Sequence, residues 1–294
     1  RKKLDEAARA YANAKAKLDA SKARQKQYAE QLRQIEVRLA DLESQVQELA
    51  AHAYRNGRLT AFMALINSAS PNDFIERAAS LDMLARSDDT QLREYTAART
   101  EASEQKALID NEVKIQTRQL AELENAKKKA ERALAAAGGG GSTSGLISYN
   151  SPAAKPAPRN SDGTWPSESC SVDDPTTSGC ITPRTLHALQ QAKAAGFTRY
   201  VSCYRSGGGG EHPKGRACDF AAAKNGFENV NASGEDKTYG DKLAAYYVKN
   251  ANALGVMYVI WYGRIWMPST GWRTYSGCCS PAATHKNHVH LSML

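Results

Sequence analysis

The sequence predicts a two-part fold: an all-α coiled-coil hairpin over residues 1–137 and a small α+β domain over residues 161–294, joined by a Gly/Pro-rich linker at 138–160. Three observations predict it. Apolar residues recur on an alternating three-four spacing through residues 4–49, the mark of a helix that pairs with another helix. Residues 138–294 hold all six Cys, all four Trp and nine of the ten Pro, so this part folds around a compact core and the first part does not. Within the second part, helix-capping signals alternate with short apolar runs bounded by glycine.

The first seam is clearest at Leu32, Ile35, Leu39, Leu42, Val46 and Leu49. Leu4, Ala7, Tyr11, Ala14, Leu18 and Tyr28 extend it backwards, with Ser21 and Gln25 as polar interruptions. A repeat held this long needs a partner, and at about 1.5 Å per residue the helix runs roughly 70 Å. A weaker seam passes through Leu92, Tyr95, Ala102, Ile109, Val113, Leu120, Leu123 and Leu134, with Arg99, Lys106, Gln116 and Lys127 at seam positions. The two helices are expected to fold back as an antiparallel hairpin.

Between them, residues 52–88 break the repeat and predict short helices. Asn56-Gly57 is a turn signal, and Ser68 to Asp73 reads as a loop entering a helix. Leu59, Phe62, Met63, Leu65, Ile66, Phe74, Ile75, Leu81, Met83 and Leu84 form an apolar set at this tip. Either the short helices pack together and cap the coil, or the set presents a face that docks a partner protein.

The linker begins GGGGSTSG and continues SPAAKPAPRN, flexible first and proline-stiffened later, with a reach of roughly 20–30 Å. Such a linker would let the two parts reorient, and a coil that masks the domain until a partner binds is one consequence. In the α+β domain, Thr182 caps a helix that Pro183 opens and Gly196 closes after Ala195. A strand is expected over Thr198 to Tyr204, and a helix from about Tyr239 to Leu254, ended by Gly255. VMYVIWY (256–262) is the strongest strand signal. RIW returns after Gly263 as its hairpin partner, and HVHLS (288–292) forms a last short strand.

The net charge is +8, with 24 Lys/Arg against 21 Asp/Glu up to residue 137 and 15 against 10 beyond it. The only dense basic run is Lys127 to Lys129, which argues against nucleic acid as a partner. Six Cys confined to one small domain point to an oxidising, extracytoplasmic or secreted location. Cys170 and Cys180 bracket a short polar loop that suits a local bridge, and among the roughly 15 pairings that six Cys allow the sequence chooses no other. No stretch approaches the roughly 20 apolar residues of a membrane span. No signal peptide is present, so a secreted form is expected to be a mature or trimmed chain.

Two segments carry the chemistry: CYRSGGGGEHPKGRACDF (203–220) and HKNHVHLS (285–292). His212 stands seven positions before Asp219, with Gly215 between them for a tight turn. His288 and His290, two apart on a strand, point to the same side. Two imidazoles and one carboxylate are a standard ligand set for catalytic Zn²⁺ and leave a fourth position for water. The metal lowers that water's pKa to about 7, and a further unligated His or carboxylate serves as general base. Five of the six His lie in this domain and four in these segments, more than isolated structural histidines explain. His187 reads as a surface residue, and His285 as supporting a ligand, facing substrate or solvated. Cys203, Cys218, Cys278 and Cys279 as metal ligands, or as a Cys nucleophile paired with His, are the enzymatic rival. Disulfides account for all six Cys with no further assumption.

The pattern S-x-x-R-S, H-x6-D and H-x-H resembles the D-Ala-D-Ala metallopeptidase superfamily, and His285, His288 and His290 in H-x2-H-x-H are similar to the penicillin-insensitive murein endopeptidase branch. The resemblance covers roughly residues 198–294. It implies a zinc peptidase-like domain in which His212, Asp219 and His290 ligate Zn²⁺. It further implies that His288 is the general base and that Arg205 contacts substrate or the developing oxyanion. The implied substrates are peptidoglycan stem peptides, cut next to a D-amino acid, with endopeptidase and carboxypeptidase both open. The chain departs from the pattern in the flexible run Gly207 to Gly210 and in Cys203 and Cys218 inside the motif.

The N-terminal half resembles the coiled-coil hairpins of actinobacterial secreted wall hydrolases and of division-associated hydrolase activators. That resemblance implies a coil that tethers or regulates, gripped by the ectodomain of a membrane division complex such as FtsEX. A catalytically silent coiled-coil adaptor with a degenerate wall-binding domain is the reading from another class.

Overall fold

The computed structural model describes residues 2–143 and 149–294, with the side chains of residues 56 and 58–61 left aside. Leu59 and the side chain of Asn56 at the expected tip, and residues 144–148 of the expected linker, therefore lie outside the described residues. The chain divides into two compact units, residues 21–116 and residues 1–20 with 117–294. The division expected at 137/138 does not coincide with this one. Leu4, Ala8 and Leu134 share an apolar cluster with Met257, Tyr258, Ile260, Ile265, Met267, Tyr275 and Leu294, so the ends of both long helices belong with the α+β domain.

Residues 21–116 contain the greater part of helices α1 (Lys2–Ile66) and α2 (Pro71–Ala136). Of the short helices expected over 52–88 one forms, the last segment of α1, which Gly57 separates from the rest and which ends at Ile66; beyond a four-residue turn α2 runs on without a break. Ser70 Oγ accepts the Asp73 N–H at 3.1 Å and Asp73 Oδ2 accepts the Ala69 N–H at 2.8 Å, a reciprocal N-terminal cap on α2. Arg77 Nη1 donates to the Ala64 carbonyl at 2.9 Å, satisfying an end group of α1. Gly57 leaves the helical region, with φ 61° and ψ 167°, so the turn signal marks a kink and not a reversal. Phe62, Met63, Ile66, Phe74, Ile75, Met83 and Leu84 are exposed, so the expected apolar cap does not form.

The seam of this unit buries Ile35 and Leu42 against a face of α2 that includes Ala98 and Ala102. Its polar interruptions answer one another. Ser21 Oγ donates to Glu112 Oε2 at 2.5 Å, Arg24 Nε donates to Glu112 Oε1 at 2.9 Å, and Gln116 Nε2 donates to Gln25 Oε1 at 2.9 Å. The α2 seam follows the expected one only in part: Ala102 and Leu134 are buried and Tyr95, Ile109 and Leu123 half-buried, but Leu92, Val113 and Leu120 are exposed, as are Arg99 and Lys106. Small alanines admit close helix approach there, and a paired Glu112 takes the inward position next to Val113.

The other unit is built on a seven-stranded antiparallel sheet of β1 (Gly139–Ser142), β4 (Val201–Ser202), β5 (Ala217–Ala221), β6 (Val256–Trp261), β7 (Arg264–Met267), β8 (Gly271–Tyr275) and β9 (His288–Met293), in the order β1-β8-β7-β6-β9-β5-β4. A small hairpin of β2 (Val172–Asp173) and β3 (Cys180–Ile181) lies apart from it. Helices α3 (Pro183–Ala194) and α4 (Gly234–Lys249), with the short α5 (Ala251–Leu254), complete the α+β fold. Leu189, Leu243 and Tyr247 from the helices pack with Phe220, Val259, Trp261, Val289 and Leu291 from the sheet. Strand alternation turns Asp219, His288 and His290 to the opposite face.

Most expected elements are present with shifted ends. Thr182 caps α3, its side chain accepting the Thr185 N–H. Tyr262 and Gly263, at φ 53° and 70°, make the two-residue turn between β6 and β7. The strand expected over Thr198 to Tyr204 shrinks to two residues, because its flanking N–H groups find side chains: Arg199 gives to Tyr239 Oη, Cys203 to Thr176 Oγ1 and Tyr204 to Asp174 Oδ2. Helix α4 starts five residues earlier than expected and breaks at Asn250, whose Oδ1 accepts the Ala154 N–H at 2.9 Å.

That bond also corrects the expected linker. Residues 139–142 pair with β8, Ala154 and Ala157 are buried, and the Ala157 N–H donates to the Ala253 carbonyl. The described part of the segment is packed on the domain, which removes the premise of a free swing. Disulfides join Cys170 to Cys180, as expected, and Cys203 to Cys218. Cys278 and Cys279 are free, exposed thiols, so pairing of all six is corrected. Among the described residues no helix is long and apolar enough to cross a membrane.

Candidate metal centre

Two neighbouring strands bring the candidate ligands together. In the β5–β9 ladder Asp219 lies opposite His290 and Ala221 opposite His288, so a carboxylate and an imidazole from residues 71 apart share one rung. His212 comes from a 3₁₀ turn, His212–Lys214, closed by Gly215 in the left-handed region at φ 65°. A Cβ on Gly215 would stand 2.7 Å from Ile181 Cα, so glycine is required both for the turn and for the close approach of β3. One ligand atom from each of His212, Asp219 and His290 falls within 4.8 Å of the others, and all three residues are buried.

The hydrogen bonds around these rings fix which nitrogen faces inward. The carbonyl of Cys203 can only accept, so His212 Nδ1–H donates to it at 2.5 Å, and in the neutral ring Nε2 carries an inward lone pair. That atom lies 3.3 Å from both Asp219 Oδ2 and His290 Nδ1. His290 Nδ1 lies 2.7 Å from Asp219 Oδ1, while its Nε2 lies 2.9 Å from Ser292 Oγ. Asp219 Oδ1 can only accept, so in this structure His290 Nδ1–H donates to it and Ser292 Oγ–H donates to Nε2. A cation taking the place of that proton would leave Nε2–H to Ser292 and turn the Nδ1 lone pair inward. Three electron-rich atoms then converge in a buried space where a cation would hold them together. Two imidazole nitrogens and one carboxylate oxygen, each imidazole steadied through its other nitrogen, suit Zn²⁺.

The electrostatics favour the same ligand-ready state. Burial drives the His290 pKa down to about 4 against the opposing pull of Asp219, so the ring is neutral at pH 7. Burial alone would raise the Asp219 pKa, but His290, His212 and His288 together hold it well below the usual carboxylate range. Arg205 Nη1 donates to Asp219 Oδ2 at 2.8 Å, so in this structure the arginine expected at substrate sits on a candidate ligand. Its side chain is half exposed, and it shares with His285, Asn287, His288, Phe227 and Asp219 the wall of an open groove of about 530 Å³.

His288, the expected base, is buried with Nε2 3.7 Å from Asp219 Oδ1. Its Nδ1 lies 2.7 Å from Asn287 Oδ1, and Asn287 Nδ2 donates to the Glu228 carbonyl at 2.7 Å, which sets the amide so that Oδ1 accepts the Nδ1 proton. Burial lowers the His288 pKa despite the attraction of Asp219. His285 is buried beside it, ring centroids 4.9 Å apart, so the solvated reading of His285 is corrected. His187 is half-buried, its Nε2 2.8 Å from the Lys155 carbonyl.

Four supporting residues escaped the sequence reading: Ser292, Asn287, Glu211 and Tyr258, whose ring stacks on His290 at 5.7 Å. Ser292 was within reach of strand alternation, lying two residues past His290, and Asn287 was within the motif itself. Glu211 and Tyr258 gave no sequence signal.

The profile of one family, described as VldE, C-terminal domain, matches residues 177–286. The match takes in Arg205, His212 and Asp219 and stops short of His288 and His290. No curated protein and no solved structure matches the chain.

Proposed function

We propose that the chain is a secreted, zinc-dependent peptidase of the cell wall that cleaves stem peptides of peptidoglycan next to a D-amino acid, as its motifs resemble those of D-Ala-D-Ala metallopeptidases. The observation that carries the reading is the convergence of His212, Asp219 and His290, with His288 outside the triad and lining, together with Asp219, an open groove. Zinc held by the three would supply Lewis acidity, polarising a peptide carbonyl and acidifying water. His288 Nε2 takes the proton of the attacking water, with Nδ1 anchored on Asn287, and returns it to the leaving amine. Arg205 exchanges Asp219 for the substrate carbonyl or carboxylate as the groove fills.

The two disulfides support an extracytoplasmic location. The coil tethers or regulates the enzyme, and the exposed Phe62, Met63, Ile66, Phe74 and Ile75 support its docking to a protein partner such as the ectodomain of an FtsEX-like division complex.

Elemental analysis of protein purified without added metal, followed by incubation with cross-linked muropeptides, tests the enzyme. About one zinc per chain, lost in His212→Ala, together with cleavage that His288→Ala abolishes without loss of zinc, is expected. Zinc without cleavage would favour the silent adaptor, and absence of zinc even after its addition would overturn the reading.

A further inference from the structure

The first turns of α1 pack on the sheet face that carries the candidate ligands, in the same compact unit. Leu4 and Ala8 bury against Tyr258 and its neighbours, and Tyr258 stacks on His290. At the next residue, Arg9 Nη2 donates to Glu211 Oε2 at 3.1 Å, across 202 residues of sequence. The Glu211 side chain is wholly inaccessible to solvent. Its other cationic partner is Lys214 at 2.8 Å, itself half exposed.

Glu211 is the residue on which the 3₁₀ turn of His212 is built. It immediately precedes the histidine, and its carbonyl accepts the N–H groups of Lys214 at 3.2 Å and Arg216 at 2.9 Å. A buried carboxylate deprived of a partner is strongly unfavourable, and its simplest relief is to turn toward water. Here that movement would carry the backbone of residue 211, and with it the ring of His212.

We propose that Arg9 is a positioning residue for the metal centre: through Glu211 it fixes the turn that presents His212, so the base of the coil is coupled to metal affinity. The inference rests on the zinc reading above. Because coupling is reciprocal, zinc in the centre also holds the first turns of α1 on the sheet, and a partner that displaces those turns weakens the site.

The test uses the full-length chain and compares wild type with Arg9→Met, Arg9→Lys, Glu211→Gln, the Arg9→Met/Glu211→Gln double variant, and Arg24→Met. Arg24 pairs with Glu112 in the other unit and serves as the control. Zinc affinity is measured by competition with a chromophoric chelator, and melting temperature is measured in excess chelator. Arg9→Met is expected to weaken zinc roughly tenfold, in the range for residues that orient a ligand, and Arg9→Lys to recover most of it. The double variant is expected to bind no more weakly than Glu211→Gln alone, and Arg24→Met to stay within about twofold of wild type, since it lies outside this contact.

Unchanged zinc affinity in Arg9→Met, whatever its melting temperature, overturns the proposal, as do effects of Arg9→Met and Glu211→Gln that multiply independently. If Arg9→Met does not fold, Glu211→Gln and Arg9→Lys decide: a folded Glu211→Gln that binds zinc as wild type overturns it. A wild-type chain that binds no zinc overturns the metal reading, and this inference with it.

Discussion

Removing the Cys203–Cys218 bridge separates what holds the domain together from what shapes the candidate metal centre. The two sulfurs are wholly buried, and each cysteine touches the site through its backbone: the Cys203 carbonyl accepts His212 Nδ1–H, and Cys218 is bonded to Asp219. The bridge closes a sequence separation of 15, which in the chain-entropy account is worth about 3 kcal/mol. The Cys170–Cys180 bridge closes a separation of 10 and is worth about 2.7 kcal/mol on the same scale. Loop closure alone therefore predicts nearly equal stability losses for Cys203→Ala/Cys218→Ala and Cys170→Ala/Cys180→Ala. The metal centre distinguishes them. The inner pair is expected to lose at least tenfold in zinc affinity, and the outer pair less than twofold. Denaturant unfolding in chelator gives the first quantity, and chelator competition gives the second. Equal zinc losses from both pairs would show that affinity tracks global stability, and the argument from the Cys203 carbonyl would fail.

Three other outcomes are expected. The metal-free chain loses stability as pH falls: His290 and His288 have folded pKa values below their ordinary 6.5, so the unfolded chain takes up more protons and stability drops from about pH 6.5 toward 4. His290 accounts for about 3 kcal/mol of this, and a flat denaturation midpoint across that window in wild type, or the same slope in His290→Gln, would refute it. On the proposed peptidase reading, Asn287→Leu releases the Nδ1 anchor of His288 and is expected to lower turnover at least tenfold with zinc content unchanged; full turnover would remove Asn287 from the proposed mechanism. The native chain should show two thiols to a colorimetric thiol reagent without reductant, those of Cys278 and Cys279, and an intact mass showing three disulfides would contradict this.

What the sequence could and could not reveal follows from the range of the interactions. Thr182 with Pro183, Gly215, Gly255 and the Tyr262-Gly263 turn are local signals, and each was legible because its cause lies within a few residues. The His288/His290 pair was legible for the same reason, since strand alternation alone puts both on one face. The rung that sets Asp219 opposite His290 was not, because β5 is five residues long and its pairing depends on a strand about 70 positions away. In the helices, the α2 seam was misread in part because leucine was weighted over alanine. Ala98 and Glu112 face inward beside the expected Ala102, while Leu92 and Val113 face water; Glu112 is held there by Arg24 and Ser21 rather than by hydropathy.

The contact least visible in sequence is the one with the greatest functional reach. Nothing local marks Arg9 among the many charges of the coil, nor Glu211 at the end of a glycine run. Yet a carboxylate with no solvent access beside a candidate ligand needs compensating partners, and one of its two cationic partners lies on the first helix. On the positioning role proposed for Arg9, the boundary read from composition at residue 137 separates two groups that act together. A fragment truncated to residues 161–294 would leave Glu211 with Lys214 alone and expose Tyr258 and its cluster. It is expected to bind zinc more weakly than the full chain, and equal affinity in the two would return the boundary to the place where composition put it.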